Sequence, residues 1–192
     1  MTLFGGCVVY RPAFLAIDEA DRLFAAFAET LSWRQERARL FGRDVALPRL
    51  TAWYGDAGYR YSNVAHPPQP WTIELAALRD RVAEATGTAF NSVLLNRYRD
   101  GADGVAWHAD DERELGDEPT IASLSLGATR EFQFRTKGPE RRERAALDLA
   151  HGSLLLMRGR SQRDLQHRIA KVSPPSAAAE RINLTYRLVS PA

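Results

Sequence analysis

Apolar positions recur at helical spacing in two stretches of the first half of the chain and alternate with polar ones through much of the second. Leu23, Phe24, Phe27 and Leu31 fall on one face of a 3.6-residue period, and Asp18 stands where a capping residue belongs, which predicts a helix over 18–32. A second helix is predicted after Pro70, with Leu75, Leu78, Val82 and Ala85 on its apolar stripe and Gly87 as its stop. Beyond Gly87 the period shortens to two. Strand-like runs appear at 90–98, 121–126, 131–135, 153–157, 166–172 and 181–189, with Asp100-Gly101, Gly127 and Gly152 among the turn residues between them. The proline-rich stretches at 66–70 and 173–176 read as loops. Many short strands with short connections point to an antiparallel sandwich or jelly roll. The expected plan is one α+β domain over 1–192, helical over about 1–88 and a sheet core over about 89–190.

The last strand is the most informative. Ile182, Leu184, Tyr186 and Leu188 share one face, and Arg181, Asn183, Thr185 and Arg187 share the other. That polar face is either solvated or turned into a cavity. In a cavity the two arginines need anionic partners, because an unpaired buried charge is costly, and a small dicarboxylate supplies two at once. The strand at 90–98 repeats the theme, with Phe90, Ser92, Leu94, Asn96 and Tyr98 on one face and an amide and a phenol at its exit.

Composition narrows the class. With 192 residues, 45% hydrophobic and 26% charged, the chain is no disordered tail, collagen or disulfide scaffold. Cys7 is its one cysteine, which suits a reducing compartment. The first ten residues lack a cationic segment before their apolar ones and do not read as a signal peptide, and no run approaches the roughly 18 apolar residues of a membrane span. A cytoplasmic monomer with no membrane partner is the expectation. The net charge of +2, from 26 basic and 24 acidic residues, argues neither for nor against nucleic acid. Only Lys137 and Lys171 are lysines, so 26 − 2 leaves 24 arginines. A GC-rich coding bias accounts for such an excess, as does a need for planar grips on anions. The charge is also uneven: eight acids face one arginine over 100–118, whereas six basic and three acidic residues lie over 130–144 and four and one over 34–43. The basic stretches are solvated surface or phosphate contacts.

The four histidines can be judged singly. His108 precedes Asp110 by two residues, so in extended backbone imidazole and carboxylate converge, and His167 lies ahead in another strand-like run. Two histidines and a carboxylate are the facial triad of non-haem Fe(II) oxygenases, although His-x-Asp by itself is common. His66 reads as a surface loop residue and His151 as a structural turn residue.

The order Asn96-x-Tyr98, His108-x-Asp110, His167, then Arg181 and Arg187, resembles the AlkB family of Fe(II)- and 2-oxoglutarate-dependent nucleic-acid dealkylases. So do Pro48-Arg49-Leu50-Thr51-Ala52-Trp53-Tyr54-Gly55, Trp107-His108-Ala109-Asp110-Asp111-Glu112, Ile121-Ala122-Ser123-Leu124-Ser125-Leu126-Gly127-Ala128 and Arg181-Ile182-Asn183-Leu184-Thr185-Tyr186-Arg187, and the likeness runs over about 48–189, nearest to the eukaryotic-type repair branches. The resemblance implies a double-stranded β-helix, a jelly-roll variant, flanked by N-terminal helices. It implies Fe(II) on His108, Asp110 and His167, with O2 and 2-oxoglutarate as cosubstrates. Arg181, with Tyr98 and Asn183, is then the partner of the distal carboxylate of 2-oxoglutarate, and Arg187 and Asn96 face the carboxylate beside the keto group.

The same resemblance implies oxidative demethylation of 1-methyladenine and 3-methylcytosine, releasing formaldehyde, succinate and carbon dioxide. The base must be flipped out or already single-stranded. Glu112 continues the register of His108 and Asp110 and suits a cationic base, with Asp111 the less favoured neighbour. Trp53, Tyr54 and Tyr61 are candidates for stacking. The double-strand branch carries a wedge aromatic two residues beyond the tyrosine matched by Tyr61; Asn63 stands there, which favours single-stranded DNA, with RNA as a further substrate. The alternatives are the same chemistry on RNA, tRNA or a protein, and a metal-bound jelly roll that binds nucleic acid without turnover.

Overall fold

The computed structural model of the chain describes residues 1–40, 42–56, 59–61, 64–66, 68–138 and 143–190, and side chains for all of these except 40, 43, 59–61 and 64–66. In chain order the strands are β1 (Thr2–Leu3), β2 (Val8–Arg11), β3 (Arg37–Leu40), β4 (Arg43–Ala46), β5 (Leu50–Gly55), β6 (Tyr59–Tyr61), β7 (Val64–His66), β8 (Ser92–Tyr98), β9 (Val105–His108), β10 (Ile121–Gly127), β11 (Arg130–Thr136), β12 (Arg144–Leu149), β13 (Leu154–Met157), β14 (Leu165–Ile169) and β15 (Arg181–Arg187). Helix α1 (Ile17–Thr30) and helix α2 (Ile73–Thr86) precede β8, and the one-turn α3 (Ser161–Asp164) leads directly into β14. Among the described residues no helix is long and apolar enough to cross a membrane.

Two antiparallel sheets face one another. The major sheet has the order β1-β2-β13-β10-β15-β8-β5 and the minor sheet β12-β11-β14-β9. This is the jelly-roll arrangement of an α+β chain. The first 88 residues supply β1, β2 and β5 of the major sheet as well as both helices, so the sheet begins well before residue 89. β9 and β12 lie outside the runs expected from the sequence. Alanine-rich β12 has weak strand propensity of its own; its pairing with β11 over Arg130↔Leu149 to Arg135↔Arg144 decides its state.

The strand period sorts the side chains. One face of the major sheet, with Val93, Leu95, Leu124, Leu126, Ile182, Leu184 and Tyr186, packs against Leu23 and Phe27 of α1 and Leu75, Leu78 and Val82 of α2. The other face, with Tyr98, Ile121, Leu155 and Met157, packs against Phe132, Phe134, Leu165 and Ile169 of the minor sheet. The polar face of β15 therefore looks into the space between the sheets, and every residue of β15 is buried.

The helices begin and end on local signals. α1 starts one residue before Asp18, with Ala16 at the cap position, so Asp18 and Glu19 sit in the first turn, where their charge complements the helix dipole. In α2 the Thr72 side chain accepts from the Leu75 N–H, and Gly87 closes the helix at φ 67°, a conformation that favours glycine. His151 has the structural role expected of it: its Nδ1 accepts from the Gly127 N–H at 2.7 Å and joins two turns.

Candidate active site

A cavity of about 250 Å³ opens between the two sheets, lined among others by Arg49, Asn96, Tyr98, His108, Asp110, Glu112, His167, Asn183 and Arg187. His108 ends β9 and pairs directly with His167 of β14, so the cross-strand register places both imidazoles on the inner face. Their ring centroids are 4.3 Å apart. The chain leaves the ladder after His108 and brings Asp110 into the same space. One ligand atom from each of His108, Asp110 and His167 lies within 4.8 Å of the others.

The protonation states suit a cation. His167 stacks on Phe132 with ring centroids 5.1 Å apart, and burial, with neighbouring His108 next, pushes it down to about 3. It is neutral at physiological pH, the state in which imidazole binds a metal. Burial alone raises the Asp110 carboxyl, but Arg187, His167 and His108 outweigh it and hold it at about 2. The His108 Nδ1 lies 2.8 Å from the Ala106 carbonyl oxygen, so this nitrogen carries the proton and Nε2 is left as the ligand atom. A two-histidine, one-carboxylate set of this kind, with Asp110 and His167 buried and His108 half-buried, fits Fe(II).

Groups that could meet an anion lie beside it on β8, β10 and β15. Arg181 is 1% exposed, and its Nη2 donates to Ser125 Oγ at 2.9 Å. Its Nε and Nη1 have no hydrogen-bond partner among the described residues. Burial pushes this guanidinium down to about 10, so it still carries its charge near neutral pH. A buried cation with two unmet donors is costly in isolation and fits a carboxylate of 2-oxoglutarate. Tyr98 lies under the same guanidinium, 5.4 Å from ring centroid to Cζ. Asn183 donates through Nδ2 to Ser123 Oγ and the Leu124 carbonyl, and its Oδ1 accepts from Thr185 Oγ1 at 2.8 Å. Its amide is thus oriented by the protein.

The structure gathers most of the residues singled out in the sequence and separates a few. Glu112 lines the cavity, and its Oε2 is buried without a partner among the described residues. Asp111 turns outward and accepts from Lys137 Nζ at 2.7 Å. Tyr54 faces the helical core, where its hydroxyl accepts from the Ser32 N–H, so it offers no stacking surface to the cavity. Trp53 lies on the opposite face of β5, buried beside Leu94 at the cavity side of the sheet. The side chains of Tyr61 and His66, and Asn63 entirely, lie outside the described residues.

Arg49 has no role assigned from the sequence. It is 7% exposed, lines the cavity and donates through Nε to Asn96 Oδ1 at 2.8 Å. Its position two residues before Thr51, in phase with the inward residues of β5, is the signal that could have found it. Of the basic stretch at 130–144, Arg135 joins Arg168 of β14 in flanking the Trp107 indole, with Cζ 4.4 and 4.5 Å from the ring centroid, on the outer face of the minor sheet.

The model of the 2OG-Fe(II) oxygenase superfamily matches residues 7–187. The chain belongs to that superfamily. It is 43% identical over 192 residues to "Alpha-ketoglutarate-dependent dioxygenase alkB homolog 3" of Rattus norvegicus, covering 96% of this chain and 64% of that one. It is 41% identical over 184 residues to "DNA oxidative demethylase ALKBH2" of Mus musculus, covering 90% and 76%. These relatives place it in the AlkB family. The chain spans 64% to 66% of the length of the alkB homolog 3 proteins of rat and human. The solved structure of OsALKBH1 superposes with a TM-score of 0.61 at 17% identity, covering 94% of this chain and 97% of that one, and shares the fold. The family implies Fe(II) as cofactor and 2-oxoglutarate and O2 as cosubstrates.

Proposed function

We propose that the protein demethylates N-alkylated nucleobases oxidatively, with 1-methyladenine and 3-methylcytosine in single-stranded DNA as its favoured substrates. The observation that carries this reading is the pairing of a His108, Asp110, His167 set inside the cavity with the buried Arg181 cation and its two unmet donors behind the cavity-lining Tyr98. The names of the relatives, a DNA oxidative demethylase among them, support it.

When bound, Fe(II) with 2-oxoglutarate and O2 supplies the oxidising power that hydroxylates an N-methyl group. The chain's own residues bind and aim the reactants. His108, Asp110 and His167 hold the metal. Arg181 grips the distal carboxylate of 2-oxoglutarate over the Tyr98 ring, on a wall whose amide, Asn183, is fixed by Ser123 and Thr185. Arg187 and Asn96 face the carboxylate beside the keto group. The inter-sheet core, with Phe132, Leu94 and Met157 on the cavity wall, excludes water. Glu112 offers a buried carboxylate oxygen to a base made cationic by methylation at adenine N1 or cytosine N3. Such a base pairs badly, which lowers the cost of taking it out of a stack. The hydroxymethylated base then releases formaldehyde.

The test is incubation with Fe(II), ascorbate, 2-oxoglutarate and oligonucleotides carrying either lesion, as single-stranded DNA, duplex DNA or RNA, read by mass spectrometry and formaldehyde release. Loss of one methyl group, fastest on single-stranded DNA, is expected. Preference for RNA would move the substrate class. Succinate formation with another substrate and no demethylation of any strand would end the nucleobase reading.

A further inference from the structure

The Asp110 backbone is buried and lies beyond the last residue pair of the β9–β14 ladder, His108↔His167. No strand neighbour meets its N–H, and a buried amide left unmet is costly. Gln162 Oε1 accepts from it at 2.9 Å. Gln162 is itself 1% exposed on α3. Its Nε2 faces Ser161 Oγ at 3.3 Å and Met157 Sδ at 3.5 Å, which fixes which end of the amide looks at Asp110. From the outer side, Lys137 Nζ donates at 2.7 Å both to the Gln162 carbonyl oxygen and to Asp111 Oδ2. α3 and the β11 end are thus locked to the two residues that carry the carboxylate into the cavity. The side chain of Asp110 is held separately, by Arg187 Nη2.

We propose that Gln162 is a positioning residue for the metal centre: it pins the Asp110 backbone so that the carboxylate is aimed before the metal arrives. This rests on the reading of Asp110 as a metal ligand. A carboxylate on a short irregular segment otherwise samples many orientations, and outer groups that fix a ligand commonly contribute about ten- to a hundredfold in metal affinity or activity.

The experiment is titration of the metal-free protein with Mn(II), followed by the electron paramagnetic resonance of the free ion, alongside thermal melting of the metal-free form. Gln162→Met keeps the side chain's length and removes the acceptor; Gln162→Glu keeps an acceptor. The expected result is a Mn(II) dissociation constant at least tenfold weaker in Gln162→Met, affinity near wild type in Gln162→Glu, and melting of both metal-free variants close to that of the parent. Wild-type Mn(II) affinity in Gln162→Met would overturn the proposal. So would a weakened affinity that Gln162→Glu leaves unrestored while both variants melt several degrees lower, since that is general destabilisation. Asp110→Ala separates the two readings. If it retains Mn(II), the ligand set is misassigned; if it loses Mn(II) while Gln162→Met does not, only the role of Gln162 fails.

Discussion

Arg187 Nη2 donates to Asp110 Oδ1 at 2.7 Å, joining the end of β15 to the segment after β9 across 77 residues of chain. Both side chains are almost fully buried. The pair does two things: it keeps Asp110 ionised inside the protein, and it holds one of the two carboxylate oxygens in place beside the histidines. Arg187→Met leaves a buried carboxylate without its main counter-charge. Removing one partner of such a pair costs about 3–5 kcal/mol, so denaturant unfolding of the metal-free variant should show a loss of that size. A variant as stable as the parent would mean that the pair contributes little to the fold.

Arg181 makes a second prediction, separable from the first. Its unmet Nε and Nη1 imply that 2-oxoglutarate stabilises the parent protein on binding. Hydrogen bonds to charged groups contribute about 1.5–3 kcal/mol each, so Arg181→Lys, which cannot grip a carboxylate through a planar fork, should raise the KM for 2-oxoglutarate about tenfold or more. Arg181→Met should also abolish the rise in melting temperature on adding 2-oxoglutarate. Unchanged KM and an intact thermal shift would place the cosubstrate elsewhere.

Glu112 is expected to act on the substrate and not on the cosubstrate. Glu112→Gln keeps the shape and removes the charge. The rate of demethylation of 3-methylcytosine in single-stranded DNA should fall about tenfold, a loss of about 1.4 kcal/mol of transition-state stabilisation. Turnover of 2-oxoglutarate without nucleic acid should be unaffected. Equal loss in both assays would assign Glu112 to the metal centre.

The turn that leads into β9 carries a pH dependence of its own. The Asp103 carboxylate is buried and accepts from the Arg99 backbone N–H, Nε and Nη2 at 3.0, 2.7 and 2.8 Å. Burial alone raises its pKa, but the bonds from Arg99 and the charges of Arg99 and Lys171 outweigh that and lower it. A carboxyl whose folded pKa lies below its unfolded value, about 3.9, contributes stability that is complete above that pH and lost as pH falls through the folded value. The melting temperature of Asp103→Asn should therefore lie below that of the parent at neutral pH, and the gap should close below about pH 4. A gap that does not narrow at all as pH falls below about 4 would mean that the bonds of Asp103 do not depend on its charge.

By itself the sequence determined the period of each segment, and with it the two long helices, six of the strands and the polar face of β15. It also determined the chemistry on offer, because His108-x-Asp110, His167, Arg181 and Arg187 stand in an order that a facial metal site and a dicarboxylate pocket require. Local periodicity could not show that β12 is a strand, that β2 and β5 complete the major sheet, or which of Trp53 and Tyr54 is on its cavity side, since pairing and packing with distant segments decide each of these. Nor could it show Arg49 on Asn96, Gln162 on the Asp110 amide, or Asp111 turned to Lys137. Those contacts join residues 47, 52 and 26 positions apart. Only tertiary structure decided them, for a physical reason: a buried polar group must find its partner wherever the packed chain brings one within hydrogen-bonding distance.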